Sequence, residues 1–342
     1  MSVRREKKKP SGKTPPILII LLILLIGGGL LGLFLWEQAG RKQDALWAAG
    51  RDDPLAQRLK IYYKGAWYVL RDDLDTCLII GVDKNSERLQ DLSDDALLNN
   101  LQSDFLLLLI SDRSNNSFTT LQLNRDTMAE IPRLAEGGRE LPPVTQQLAL
   151  AHTYGSGGKD SCRNTVKAVS RLLFDVPIDH YYAITMDAVP VLNDLVDGVT
   201  VHIDDDLTAA DPAFKQGTDV TLHGDQALRF VRARMAVTDG TNLSRMNRQR
   251  VYLDALYKKL RSSLQKEGTF ALKMADSLVP YSTPDLIPEE LARFAELLEG
   301  EENKGIETIQ GEARMGSRYV EFYPNEDLLQ ASVIRLFFTP ET

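Results

Sequence analysis

TCLIIGVD, residues 76–83, is a short apolar run, partly β-branched, that ends on a glycine and an aspartate. Its length and its punctuation predict a buried strand rather than a helix. DFLLLLISDR (104–113) predicts a second buried strand, closed by the turn SNNS, and FTTLQL (118–123) a third. The third run ends in NRDTM (124–128), where a strand gives out. Working outward, IYYKGAWYVL (61–70) predicts a hairpin about Lys64-Gly65, and 89–102 a mixture of loop and helix. Three prolines and two glycines make 129–147 a loop. Beyond it, helical spacing over 161–174, a strand over 179–185, a helix over 186–198 closed by Gly198 and a strand over 199–203 alternate. Residues 204–218 form an acidic loop and 223–231 a short helix. Asn242 to Gln265 is a long amphipathic helix with Met246, Leu253, Leu256 and Leu260 on one side. Residues 266–342 add a helix, two short strands near 307–312 and 317–322, and a closing helix. Strands alternating with helices predict a layered α/β sheet.

The chain of 342 residues begins differently. Residues 17–36, ILIILLILLIGGGLLGLFLW, carry no charge over a length sufficient to cross a bilayer as a helix. The preceding 16 residues hold Arg4, Arg5, Lys7, Lys8, Lys9 and Lys13 against Glu6. That basic tail belongs in the cytoplasm by the positive-inside rule. The apolar run exceeds the h-region of a cleaved signal peptide. The expected organisation is therefore a cytoplasmic tail (1–16), a transmembrane helix (17–36), an extracytoplasmic stalk and hairpin (37–73) and a folded body (74–342). Net charge is −8 for the whole chain and +5 for the tail, which leaves −13 beyond the membrane. Such a body repels nucleic acid. Cys77 and Cys162 allow one disulfide or two buried thiols. The absence of CxxC, HxxxH and HxH spacings argues against a zinc site.

Against that acidity, LRFVRARMAVTDGTNLSRMNRQR (228–250) holds six arginines, no lysine and one acid, Asp239. Arginine is favoured over lysine where a planar fork must grip phosphate or carboxylate. Arg232 and Arg234, two apart, share a face if the chain is extended. Arg245 and Gln249, four apart, share a helix face. They follow a helix start near Thr241, Asn242 and Ser244, whose free amides favour anions. A diphosphate cradle is one reading; a solvated basic face or a set of structural ion pairs is the other, and spacing alone leaves both open. Asp83 and Asp104 fall at the ends of neighbouring strand runs, where two carboxylates could share a hard cation such as magnesium. Arg125 ends the third strand nearby, and Asp126 beside it reads as a second acid or, the favoured reading, a strand-end cap. HTYGSGGKDSC (152–162) is not a phosphate loop: Thr153 stands where GxxxxGK needs glycine, and Asp160 where it needs serine or threonine. The four histidines are dispersed, and Asp204-Asp205-Asp206 belongs to a solvated loop.

Taken in order, LIIGVD (78–83), QSDFLLLLI (102–110), LNRDTM (123–128), PIDHYYAITMDAVPVLNDLVDGV (177–199), HGDQALRFVRAR (223–234) and SRMNRQR (244–250) resemble the LytR-CpsA-Psr family of cell-envelope phosphotransferases. The resemblance covers roughly 74–265, the core of the body, with 266–342 supplying the C-terminal strands and helix. It implies a three-layer α/β/α sandwich with a central mixed sheet behind one N-terminal transmembrane helix. It also implies a hydrophobic pocket for a lipid tail. The implied activity is transfer of a glycopolymer phosphate from a polyprenyl diphosphate carrier to a cell-wall acceptor, peptidoglycan. Diphosphate hydrolysis and non-catalytic polymer binding are the alternatives. The tail of 16 residues is too short for a helix-turn-helix domain, against a transcriptional role. Matched by motif, Asp83 and Asp104 would hold Mg2+, and Arg125, Arg232, Arg234, Arg245 and Gln249 would grip the diphosphate. The catalytic set is Asp83, Asp104, Arg125, Arg232 and Arg234. The implied location is the cell membrane, single-pass, with the catalytic body outside. Three departures stand out: Gln102 replaces an arginine of the family pattern, Asn124 a proline, and Asn242 an acid.

Overall fold

The computed structural model describes residues 59–84, 96–233, 242–286 and 297–341, all within one unit, Pro54–Thr342. The expected membrane span, the stalk up to residue 58, Arg234 and Asp239 lie outside the described residues. Among the described residues no helix is long and apolar enough to cross a membrane.

The hairpin expected at Lys64-Gly65 joins β1 (Lys60–Tyr63) to β2 (Ala66–Leu70). Both turn residues have positive φ, 47° and 88°, so the two-residue turn matches the right-handed twist of its strands. The three apolar runs become β3 (Leu74–Lys84), β4 (Leu101–Asp112) and β5 (Ser117–Leu123), antiparallel neighbours in chain order. The expected loop at 129–147 is instead a hairpin, β6 (Met128–Leu134) and β7 (Glu140–Gln147). Its prolines are tolerated because this is a two-stranded ribbon outside the main sheet, with an irregular register at Pro132. No helix forms in the described part of 89–102, where β4 has already begun.

The rest follows the expected alternation: α1 (Lys159–Leu172), β8 (His180–Thr185), α2 (Ala188–Leu195), β9 (Val199–His202), β10 (Asp219–Leu222), α3 (Asp225–Arg232) and α4 (Leu243–Lys266). Then come α5 (Phe270–Leu278), β11 (Ser282–Pro284), β12 (Glu302–Thr308), β13 (Gly311–Met315), β14 (Val320–Pro324), α6 (Glu326–Phe337) and β15 (Phe338–Pro340). The last of these pairs with β2, so the entering hairpin is joined to the end of the chain.

The central sheet has the order β11-β8-β3-β4-β5-β12. It is mixed, with β3–β8 and β5–β12 parallel and the other neighbours antiparallel. Alternation along the strands makes its two faces unlike. Leu78 and Ile80 of β3 lie opposite Leu108 and Leu106 of β4, and all four are fully buried. This face is covered by the 3-10 helix Leu148–Thr153 and by α1. The other face carries Cys77, Leu109 and Phe118, with Phe118 edge-on to Tyr257 of α4 at 5.8 Å between ring centres. The two cysteines are free, buried thiols. Cys77 packs in this second cluster, whereas Cys162 lies on α1, 3.7 Å from His152 Nε2.

Candidate functional site

The site lies at the end of the sheet where β3 stops. Pairing between β3 and β4 runs in register up to Gly81 and Phe105, then skips Asp104 and resumes with Val82 opposite Ser103. Asp104 is thus the extra residue of a bulge, a device that re-aims a side chain. Gly81 permits it: a Cβ there would sit 2.8 Å from Cβ of Phe105. Two residues on, Asp83 pairs with Gln102. The two aspartates therefore share one corner of the sheet, as their positions at strand ends predict.

Each carboxylate has an arginine. Arg125 Nη1 donates to Asp104, and Arg232 Nη2 donates to Asp83. Arg125 sits in the turn between β5 and β6, where the Thr127 amide donates to the Asn124 carbonyl at 3.0 Å. Its Nε also donates to Asp126 at 3.2 Å. Side-chain exposures of 15% and 21% for the Arg125–Asp104 pair, against 42% and 25% for Arg232–Asp83, make the first pair the floor of the site and the second its rim. Arg232 closes α3 in helical conformation, so the extended Arg232–Arg234 fork expected from spacing does not hold at Arg232. The helix ends there, with Ala233 as its non-helical cap.

Arg245 and Gln249 do share a face of α4, one turn apart, and both are buried. Gln122 of β5 donates through Nε2 to Gln249 Oε1 at 3.1 Å, which docks the helix on the sheet beside Arg125. Asp126 records the same crowding. Burial pushes its carboxyl above the usual carboxylate range, while Arg125 and Arg245 pull it back down. The structure therefore brings Asp83, Asp104, Arg125, Arg232, Arg245 and Gln249 to one corner, and Arg234 lies outside the described residues.

The other arginines of 228–250 divide by role. Arg229 forks onto Asp211 at 2.9 and 3.1 Å, an ion pair of the structural kind. Arg250 points outward and donates to Asn247. Arg248, which spacing did not single out, is buried and donates to the Ala233 carbonyl, with Asp205 4.0 Å from its Nη1. It holds the chain just beyond Arg232. Its one sequence signal is its type: arginine, in a stretch without lysine. Asn124 and Asn242 are also joined, Asn242 Nδ2 donating to Asn124 Oδ1 at 2.9 Å. The glycine turn before α1 is closed, as its lack of a phosphate-loop pattern predicts. Asp160 accepts the Ser156 amide at 2.7 Å, and Ser161 Oγ accepts the Gly157 amide at 3.0 Å.

Chemically, this corner offers four cationic or amide side chains, three carboxylates (Asp83, Asp104 and Asp126) and partial access to solvent. That is an arrangement for an anion with several oxygens. The sequence matches the LytR_cpsA_psr family over residues 48–332. The chain belongs to this family. Within curated relatives, a protein of Bacillus mycoides (strain KBAB4) named polyisoprenyl-teichoic acid–peptidoglycan teichoic acid transferase TagU is 34% identical over 158 residues. The match covers 46% of this chain and 47% of that protein. A protein of the same name from Bacillus cereus (strain ATCC 14579) is 29% identical over 204 residues, covering 59% and 62%. The chain spans about half the length of the curated relatives it matches. Among solved structures, the protein gbs0355 of Streptococcus agalactiae superposes with a TM-score of 0.60 at 22% identity, over 77% of this chain and 86% of that one. TagT of B. subtilis does so with 0.54 at 21% identity, over 82% and 94%. The fold is that of these two structures.

Proposed function

We propose that this LytR_cpsA_psr protein is a phosphotransferase that moves a glycopolymer phosphate from a polyprenyl diphosphate carrier onto peptidoglycan. The observation that carries the reading is the pairing of Asp104 with Arg125 and of Asp83 with Arg232 at one sheet corner, beside Arg245 and Gln249. The names of the curated relatives support the same substrate classes.

In this reading Arg125 and Arg245, on the buried side, grip the diphosphate, and Arg232 at the rim meets it from solvent. Arginines aimed at the phosphoryl oxygens stabilise the charge that builds as the bond to the polyprenyl phosphate breaks. Gln249, whose Oε1 accepts from Gln122, contributes its amide protons without adding charge. Arg234 completes the set from the motif. Asp83 and Asp104 suit magnesium. They are oxygen donors only, on adjacent strands, and this cation takes one or two carboxylates and fills its shell from phosphate and water. Bound there, magnesium would supply positive charge against the diphosphate. As the ligand enters, Arg125 and Arg232 exchange their carboxylates for phosphoryl oxygens. Residues 17–36 anchor the chain as a single span, with the basic tail in the cytoplasm and the catalytic unit on the outer side.

The test uses the full chain with a polyprenyl diphosphate-linked sugar and magnesium, with and without a peptidoglycan oligomer. Mass spectrometry follows polyprenyl phosphate and the acceptor. The expected result is acceptor-dependent release, with the sugar phosphate joined to the oligomer. Release without attachment would replace the transferase by a hydrolase. Tight binding without release would leave a polymer receptor.

A further inference from the structure

Asn124 and Asn242 lie 118 residues apart and share the hydrogen bond from Asn242 Nδ2 to Asn124 Oδ1. The same Asn124 oxygen accepts the Asp126 amide at 3.0 Å. A backbone amide only donates, so this second bond decides which end of the Asn124 side chain is the oxygen. With two donors on that oxygen, position 242 has to present a donor as well. Asn242 is the residue that caps the start of α4, and an asparagine there ordinarily turns its oxygen onto its own helix's amides. No such bond forms here, and the side chain reaches across to the β5–β6 turn instead.

That turn carries Arg125, and α4 carries Arg245 three residues beyond Asn242. We propose that Asn124 and Asn242 are a pair of positioning residues that set the separation of the two arms of the cradle, Arg125 on the turn and Arg245 on the helix. This rests on the diphosphate reading above. A proline at 124 would offer no side-chain acceptor, and an acid at 242 would set oxygen against oxygen. The bond therefore needs both residues: an acceptor side chain at 124 and a donor at 242.

The experiment titrates the full chain, in detergent with magnesium, with geranylgeranyl diphosphate in a calorimeter. Asn242→Asp and Asn242→Ala are each expected to weaken binding about tenfold, the worth of one well-placed hydrogen bond. Asn124→Ala should cost the same, and the double variant Asn124→Ala/Asn242→Ala no more than either alone, since one bond is lost in all three. Asn124→Asp keeps the accepting oxygen and should lose less than Asn124→Ala, which a merely space-filling role would not produce. Additive losses in the double variant, or unchanged affinity in the singles, would overturn the proposal. Arg125→Ala is the control for the reading beneath it: if that variant binds as tightly as the parent, the diphosphate reading fails. Hydrogen exchange of the unliganded protein then still decides the tie. Asn242→Asp should quicken exchange over residues 243–249 and leave 159–172 unchanged. Equal exchange in parent and variant would sink it.

Discussion

Helices α1 and α4 both begin after small and polar residues, GSGGKDS (155–161) at one and DGTNLSR (239–245) at the other, yet their first turns are used differently. At α1 the chain supplies its own anion: the Asp160 carboxylate accepts the Ser156 amide and hydroxyl, and Ser161 accepts the Gly157 amide. At α4 the cap residue turns away to Asn124, and the next helical turn presents Arg245 and then Gln249 toward the sheet corner. Glycines and helix amides are thus a weak sign of an anion site, because a neighbouring carboxylate closes them at little cost. Buried arginines are a stronger sign, because a guanidinium held out of water needs a partner.

The largest test of that contrast is in the arginines themselves. Arg125→Ala and Arg232→Ala are each expected to lower the transfer rate about a hundredfold, the usual loss when one charge-stabilising donor is removed. Single-turnover kinetics at saturating carrier would check it. A rate within a factor of three of the parent would place the cradle elsewhere.

The second test concerns what lies beneath α1. Burial holds the His152 imidazole down to about 4, against 6.5 for a free side chain, and Cys162 beside it is pushed up to about 12. Both are neutral, which suits packing and not catalysis. The folded protein refuses a proton that the unfolded chain takes up below pH 6.5, so this contribution to stability is present above that pH and lost as pH falls toward 4. The loss should reach about 2 kcal/mol near pH 4.5. Denaturant unfolding at neutral and acid pH measures it, and His152→Gln should flatten the dependence.

The smallest effect belongs to Asp160. Asp160→Ala should cost about 1 kcal/mol of stability through the lost hydrogen bonds from the Ser156 amide and hydroxyl and leave the transfer rate as it was. A fall in rate without a fall in stability would mean that the α1 turn takes part in binding after all.

The central strands were legible as short apolar runs closed by turn signals, and the long helices by their period. Leu78, Ile80, Leu106 and Leu108 stand in continuous apolar runs that read as buried strands without showing which face each side chain takes, and Arg245 and Gln249 sit on one helix face because they are four apart. The β6–β7 hairpin was hidden, since its prolines and glycines speak against strands unless the ribbon stands apart from the main sheet. Arg232 looked extended beside Arg234 because two-residue spacing fits a strand, but α3 runs on to include it. Asn124 and Asn242 read as isolated departures until the fold set them 2.9 Å apart.

By itself, then, the sequence determined the type of the central strands β3, β4 and β5 and of helices α1 and α4, the side of α4 that faces inward, and the family to which the chain belongs. Those properties depend on residues within a turn or two of one another. Which arginine meets which carboxylate, which arginines are merely structural, and whether the two thiols meet were decided only in the tertiary structure. Asp83 and Arg232 are separated by 149 residues and no periodicity links them. Their meeting follows from strand order, from the bulge that Gly81 permits, and from the length of α3.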